Sequence, residues 1–403
     1  MRFFKLTVMM VLLAAMAGCI RSFEPEIGEI TGLDKQLVVV EGDIIVGGFT
    51  YVKLGLSKPV SEWWGENIAG DVAIWVESAD GQVWNGCEYY DGADTSDYRL
   101  YGAQYMVDTR SLPLDGEYRL CVSIPDRGEY VSEFKPVLVS PPIDSLWYKI
   151  NEERSKVAIN LSTHDDINDT GYYRWQIQET WNNRAIVNTK LRYNMSTGEI
   201  ESRPYNEVRD GEICYTTQIS GSIVLENTEN LNVNMVSGKI FQEIGKDDKK
   251  LLDTYCISVV QMVMDKVGYV YWEQMKKNTF GNGGLFAPQP SEVGGNIVNS
   301  TNPSEYVIGY VNVCKVSHAK MYVDWRKERL YDKKQCDDRV LRPESEWADA
   351  ANSGWVPLEI VYEESDSDKD GGSVIKKALW VRRSCTDTGY NCQPKPEDWP
   401  FVY

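Results

Sequence analysis

Asp71-Val-Ala-Ile-Trp-Val-Glu77, then Asp80-Gly81, then Gln82-Val-Trp84, sets the architecture of the N-terminal half. Valine, isoleucine and tryptophan suit a pleated, half-buried strand. Asp-Gly supplies the positive φ that a tight reversal needs, so the stretch predicts a β-hairpin. Its neighbours repeat the pattern. Leu37-Val-Val-Val-Glu41 is an apolar run, and Tyr51-Val-Lys-Leu-Gly-Leu56 places Val52, Leu54 and Leu56 on one face. Tyr118, Leu120, Val122 and Ile124 alternate with polar residues and lead into a turn at Asp126-Arg-Gly128. Short alternating strands at this spacing predict an antiparallel, immunoglobulin-like β-sandwich over residues 36–140. Ser140-Pro141-Pro142 cannot continue a strand interior and marks its end.

Residues 141–403 read as a larger β-rich domain with one inserted helix. Val157-Ala-Ile-Asn-Leu161 and Gly171–Gln178 are strand-like, with Tyr173, Trp175 and Ile177 facing one way. Strand signals follow at Tyr255–Val260, Tyr306–Val313 and Trp355–Val361. A helix is predicted at about 265–278, where Val267, Val270, Tyr271, Gln274 and Met275 form a stripe and Lys276 and Lys277 favour the C-terminal end. Gly281 to Pro303 is rich in Gly, Asn and Pro, a length at which loops are commonly functional or disordered. No internal repeat is visible.

The chain opens with Arg2 and Lys5, an apolar run Leu6–Met16, and Ala17-Gly18-Cys19. These are the three parts of a secretory signal, and the run is shorter than the ~20 residues a spanning helix needs. A cysteine directly after Ala-Gly predicts lipoprotein processing: residues 1–18 are removed and Cys19 carries the lipid. Residues 19–35, with Glu24, Glu26 and Glu29, read as a flexible tether. The leader takes two basic residues, leaving 40 against 60 acids and a formal charge of −20 on the mature chain. Such a surface repels phosphate backbones, which excludes nucleic acid as a partner. Export exposes the remaining eight cysteines to an oxidising compartment, so most are expected in disulfides. Cys385 with Cys392 is the first pairing expected, with Gly389 easing the turn between them, and Cys87 with Cys121 the second.

No catalytic, metal or cofactor motif stands out. His164 and His318 are the only histidines, no CxxC occurs, and neither histidine sits in a ligand spacing. Asp366-Ser-Asp-Lys-Asp-Gly371 matches the first half of a calcium loop, but its twelfth position is Lys377 where a bidentate glutamate is required, so a solvated hairpin tip is the better reading. Carboxylate pairs arise by chance among 60 acids and identify no hydrolase. Trp63-Trp64 and Trp181 fall in apparent loops, where an exposed ring could stack on a glycan or peptide, although packing beneath the loop is the commoner fate. Phe286, in the Gly/Asn/Pro segment, is a further ligand or partner contact to test.

Several short motifs carry a family resemblance. They are Phe23-Glu-Pro-Glu26, Leu37-Val-Val-Val-Glu-Gly42, Tyr51-Val-Lys-Leu54 and Pro141-Pro-Ile-Asp-Ser145, then Tyr172-Tyr-Arg-Trp175, Tyr271-Trp-Glu273, Gly283-Gly-Leu-Phe286, Gly295-Asn-Ile297 and Ile308-Gly-Tyr310. In this order they resemble the domain of unknown function 4249 family of Bacteroidota lipoproteins. Cys385, Cys392, Lys395-Pro396 and Trp399 also fit, with the cysteines further apart than the family leads one to expect. Members commonly accompany TonB-dependent outer-membrane transporters of the SusC type. The resemblance implies an outer-membrane, surface-exposed accessory that is non-catalytic and captures a ligand or binds a partner. A structural or adhesion lipoprotein is the alternative, and an enzyme acting on surface polymers the third reading.

Overall fold

The structure is a computed structural model that describes residues 36–57, 68, 71–89, 104–166, 171–204, 213–246, 248–280, 294–330, 336–342, 345–364 and 374–386, with 393, 395, 396 and 399 near the C-terminus. The protein is mainly β. Ala73–Ser78 and Val83–Glu88 form the predicted hairpin, with Gly81 at φ +89° and its amide donating to the Ser78 carbonyl at 2.9 Å. This hairpin sits in a nine-stranded sheet with neighbours in the order Val38–Glu41, Phe49–Leu56, Tyr105–Asp108, Val83–Glu88, Ala73–Ser78, Glu117–Ile124, Gly128–Ser132 and Ile297–Asn299. Lys135–Pro136 pairs with Glu117–Ile124 to complete it. The sheet curls in half-barrel fashion over one core, where Val52, Leu54, Tyr118, Leu120, Val122 and Ile124 are buried in the alternation that the sequence predicts.

The last strand of that sheet comes from far along the chain. Ile297–Asn299, part of the Gly/Asn/Pro segment, pairs antiparallel with Gly128–Ser132. Ile297 is buried and Val298 exposed, as a strand at a sheet margin requires. Residues 306–312, predicted as a strand, run as an irregular chain beside Val38–Ile45, and a regular strand forms only at Val313–Lys315. Val313–Lys315 is parallel to both Ile44–Ile45 and Leu138–Val139.

The second body packs two sheets. One is Ile143–Ile150, Lys156–His164 and Met235–Gly245; the other runs Ile213–Ile219, Tyr172–Arg184, Thr254–Val263 and Ser317–Asp324, with Val224–Asn227 also on Tyr172–Arg184. Thr254–Val263 is buried along all ten residues because both its faces are covered. Tyr255, Ile257 and Val259 enter the core with Trp175, Ile159 and Leu161, while Val260 and Met262 pack on Ile45 and Tyr51 of the N-terminal unit.

The helix spans Lys266–Phe280, with a shifted apolar face. Tyr271 is buried and Trp272 and Met275 pack beside it, whereas Val267 is 62% and Val270 41% exposed. The reason lies at the junction of the two bodies. Trp272 turns inward because the Arg174 guanidinium lies 4.1 Å from its ring centre. Arg174 in turn pairs with buried Asp43. Gly268 allows the helix to approach Tyr310, whose ring a Cβ there would meet at 2.7 Å. Asp265 accepts from the Gly268 amide at 2.8 Å, from Tyr310 Oη at 2.6 Å and from Lys135 Nζ at 2.6 Å. Burial alone would raise the Asp265 carboxyl, but these donors outweigh it and hold its pKa below the usual value. Several of the resemblance motifs, Tyr172–Trp175, Tyr271-Trp272, Gly295–Ile297 and Ile308–Tyr310, therefore converge on one structural joint.

A third unit closes the chain. Asp338–Leu341, Val374–Arg382 and Trp355–Glu364 form an antiparallel sheet, with a helix at Ser345–Asn352. A short hairpin, Leu191–Asn194 with Glu199–Ser202, packs on it. Trp347, Trp355, Ala378, Trp380 and Ile200 make its core. Among the described residues no helix is long and apolar enough to cross a membrane.

The cysteine expectations need correction. Cys385 bonds Cys336, not Cys392. Asp338 pairs with Val381, so the ends of the two strands bring residues 336 and 385 to a Cα separation of 6.1 Å, inside the range a disulfide spans. Cys87 and Cys121 are thiols: their strands flank Ala73–Ser78 on opposite sides, two spacings of ~4.8 Å apart, beyond the ~7 Å limit. Cys256 and Cys314 are thiols as well, both buried. Cys214 is disulfide-bonded, so four of the eight cysteines are thiols and disulfides do not link most of them.

Candidate functional site

The third unit and the hairpin enclose a cleft of about 600 Å³. The hairpin is held down by its entry and exit. The Thr189 hydroxyl donates to the Pro357 carbonyl, Val187 N donates to Cys385 O at 3.0 Å, and Arg203 N to Lys190 O at 2.7 Å. On the opposite wall the helix Ser345–Asn352 ends at Gly354, whose φ of +77° suits glycine, and its terminal carbonyls accept from the Ser353 and Gly354 amides. Arg383 N donates to Gly354 O at 2.9 Å, which brings the Arg383 side chain to the same rim.

Three guanidiniums line this cleft: Arg192, Arg203 and Arg383. Arg192 lies 3.5 Å from Glu201 across the hairpin, and Arg203 Nη1 donates to Thr189 O at 3.3 Å. Tyr193, Asn352 and Thr386 add polar groups, while Leu191, Val356 and Pro357 supply an aliphatic floor. Among the described lining residues there is no carboxylate, in a chain of net charge −18. Trp355 belongs to the wall but offers no open face: it is 3% exposed, and the Arg339 and Arg382 guanidiniums each lie 4.3 Å from its ring centre. Guanidinium forks, amides and hydroxyls beside aliphatic carbon can hold an anion bearing apolar groups.

Among the described residues, the one ligand-contact candidate singled out from the sequence, Trp181, is not in the lining of this cleft. Trp181 is not in a loop; it lies within Tyr172–Arg184, opposite Tyr255 and Thr216. Its ring is partly buried against the core, its Nε1 donates to Asn183 at 3.0 Å, and Lys250 Nζ lies 5.0 Å from its centre. Cys19, Trp63, Trp64, Phe286, Cys392 and the acidic run Asp366–Gly371 lie outside the described residues. Sequence reasoning missed the arginines. Their one signal is the Arg382-Arg383 doublet at the end of a strand, unusual in so acidic a chain.

No curated protein matches the chain. A family model described as domain of unknown function (DUF4249) matches residues 20–320. The match includes the hairpin side of the cleft and stops before the sheet that forms the other side. Covering about three quarters of the sequence, it establishes that the chain belongs to the DUF4249 family.

Proposed function

We propose that this protein is a lipid-anchored, surface-exposed accessory of a TonB-dependent uptake system, which captures a ligand without transforming it and presents it to an outer-membrane transporter. The observation that carries the capture role is the arginine-lined cleft in a strongly acidic chain. Net negative charge keeps most anions away, so a local concentration of guanidiniums is a selective feature. The lipid anchor rests on the Cys19 processing site, and the transporter partner on the company that the family's members keep. Half the cleft is built outside the family match, which suits a shared scaffold carrying its own specificity element.

A structural or adhesion role is the second reading. It is favoured by Trp147 and Ile240, both exposed and both opposite Asn160 on the outer face of the three-stranded sheet. Pull-down of the tagged lipoprotein from detergent-solubilised outer membranes separates the two. A TonB-dependent transporter recovered in near-equal amount supports the accessory role, and its absence supports adhesion.

A further inference from the structure

We propose that the cleft takes a short acidic peptide, its carboxylates bound by Arg192, Arg203 and Arg383 and its aliphatic side chains seated on Leu191, Val356 and Pro357. This rests on reading the cleft as the capture site. An anionic ligand suits the cleft, because the charged groups among its described lining residues are guanidiniums, whose several N–H donors can serve a ligand beside their own partners. A planar guanidinium matches a carboxylate with two parallel hydrogen bonds, a geometry that an ammonium cannot offer.

The ligand must also carry apolar groups. Leu191, Val356, Pro357, Ala351 and the 59% exposed Met195 gain nothing from hydroxyls but do from buried methylenes. An acidic sugar would ask for an open aromatic face; of the two rings in the described lining, Trp355 is buried under Arg339 and Arg382, and Tyr193 leans on the Trp380 ring, 5.8 Å between centres. The Asn352 amide and Thr386 hydroxyl add side-chain partners. A volume of about 600 Å³ holds a few residues of such a chain.

The test uses the mature lipoprotein in detergent and fluorescence anisotropy with labelled Glu-Leu-Glu-Val-Glu-Leu, its Gln-Leu-Gln-Val-Gln-Leu counterpart, and trigalacturonate. The acidic peptide is expected to bind, the glutamine peptide about tenfold or more weakly, and rising salt to weaken the acidic one. Arg383→Gln and Met195→Glu should each cost about tenfold; Met195 is exposed, so a carboxylate there leaves the fold intact and repels the ligand. Tighter binding of trigalacturonate with the same arginine dependence would overturn the peptide assignment and leave the capture site standing. Binding of neither probe, or peptide binding unchanged in both variants, would overturn the cleft as a capture site. Transporter recovery in the pull-down reads the accessory role separately in every case.

Discussion

Removing the Cys336–Cys385 disulfide should loosen the third unit and leave the rest of the protein in place. The two cysteines are 49 residues apart, and the closed loop contains both flanking strands of the sheet, the helix Ser345–Asn352 and the whole central strand Val374–Arg382. Loop-closure entropy for that length corresponds to about 4 kcal/mol at 25 °C, of which bonds of this kind typically deliver 2–4. The unit has its own small core of Trp347, Trp355, Trp380 and Ala378, joined to the body through the hairpin, so the loss falls there. In Cys336→Ser/Cys385→Ser, a loss of about 3 kcal/mol corresponds to on the order of a hundredfold faster opening. Hydrogen exchange followed by mass spectrometry would read it. Amides of 338–341, 355–364 and 374–382 should lose protection, while Tyr172–Arg184 and Thr254–Val263 keep theirs. Unchanged exchange in the third unit, or equal loss in both bodies, would refute the picture of a separately stapled unit.

Three further outcomes follow from the geometry. Gly309→Ala places a Cβ into the Val40 carbonyl oxygen, so the joint must shift, at a cost of about 1–3 kcal/mol visible in the melting temperature. Asp265→Asn should destabilise by about 1 kcal/mol near neutral pH. Because the Asp265 pKa is lowered on folding, its contribution is present above the ordinary carboxyl pKa of ~3.9 and is lost as pH falls through the lowered value. Denaturant titrations of the two proteins should therefore converge in acid. Thiol labelling should modify exposed Cys87 in the native protein and three further cysteines only after unfolding.

Much of this fold is legible in the sequence wherever local pattern and final burial agree. The alternation at Tyr118–Ile124 and the Asp80-Gly81 turn are local signals, and both appear in the structure as read. Long-range pairing leaves no such trace. Nothing near Ile297 signals that it closes a sheet begun at Val38, because the partner strand Gly128–Ser132 is remote in the chain. The stripe of Val267, Val270 and Tyr271 does not fix the buried face of Lys266–Phe280, since Trp272 is drawn inward by Arg174, a partner on another sheet. Trp181-Asn182-Asn183 resembles a turn by composition, yet pairing on both sides keeps it in a strand. The cleft was invisible because its arginines come together only when the hairpin at 191–202 folds onto a sheet more than 130 residues away.

The central claim, capture at the arginine cleft on the cell surface, is tested most directly on intact cells. Cells displaying equal amounts of the native lipoprotein, Arg383→Gln or Met195→Glu would be mixed with the labelled acidic peptide, and bound fluorescence measured before and after protease shaving. The expected result is shaving-sensitive capture by the native protein that falls about tenfold in either variant, with transporter co-purification unchanged. Equal capture by all three proteins, or a lipoprotein shielded from protease in intact cells, would contradict it.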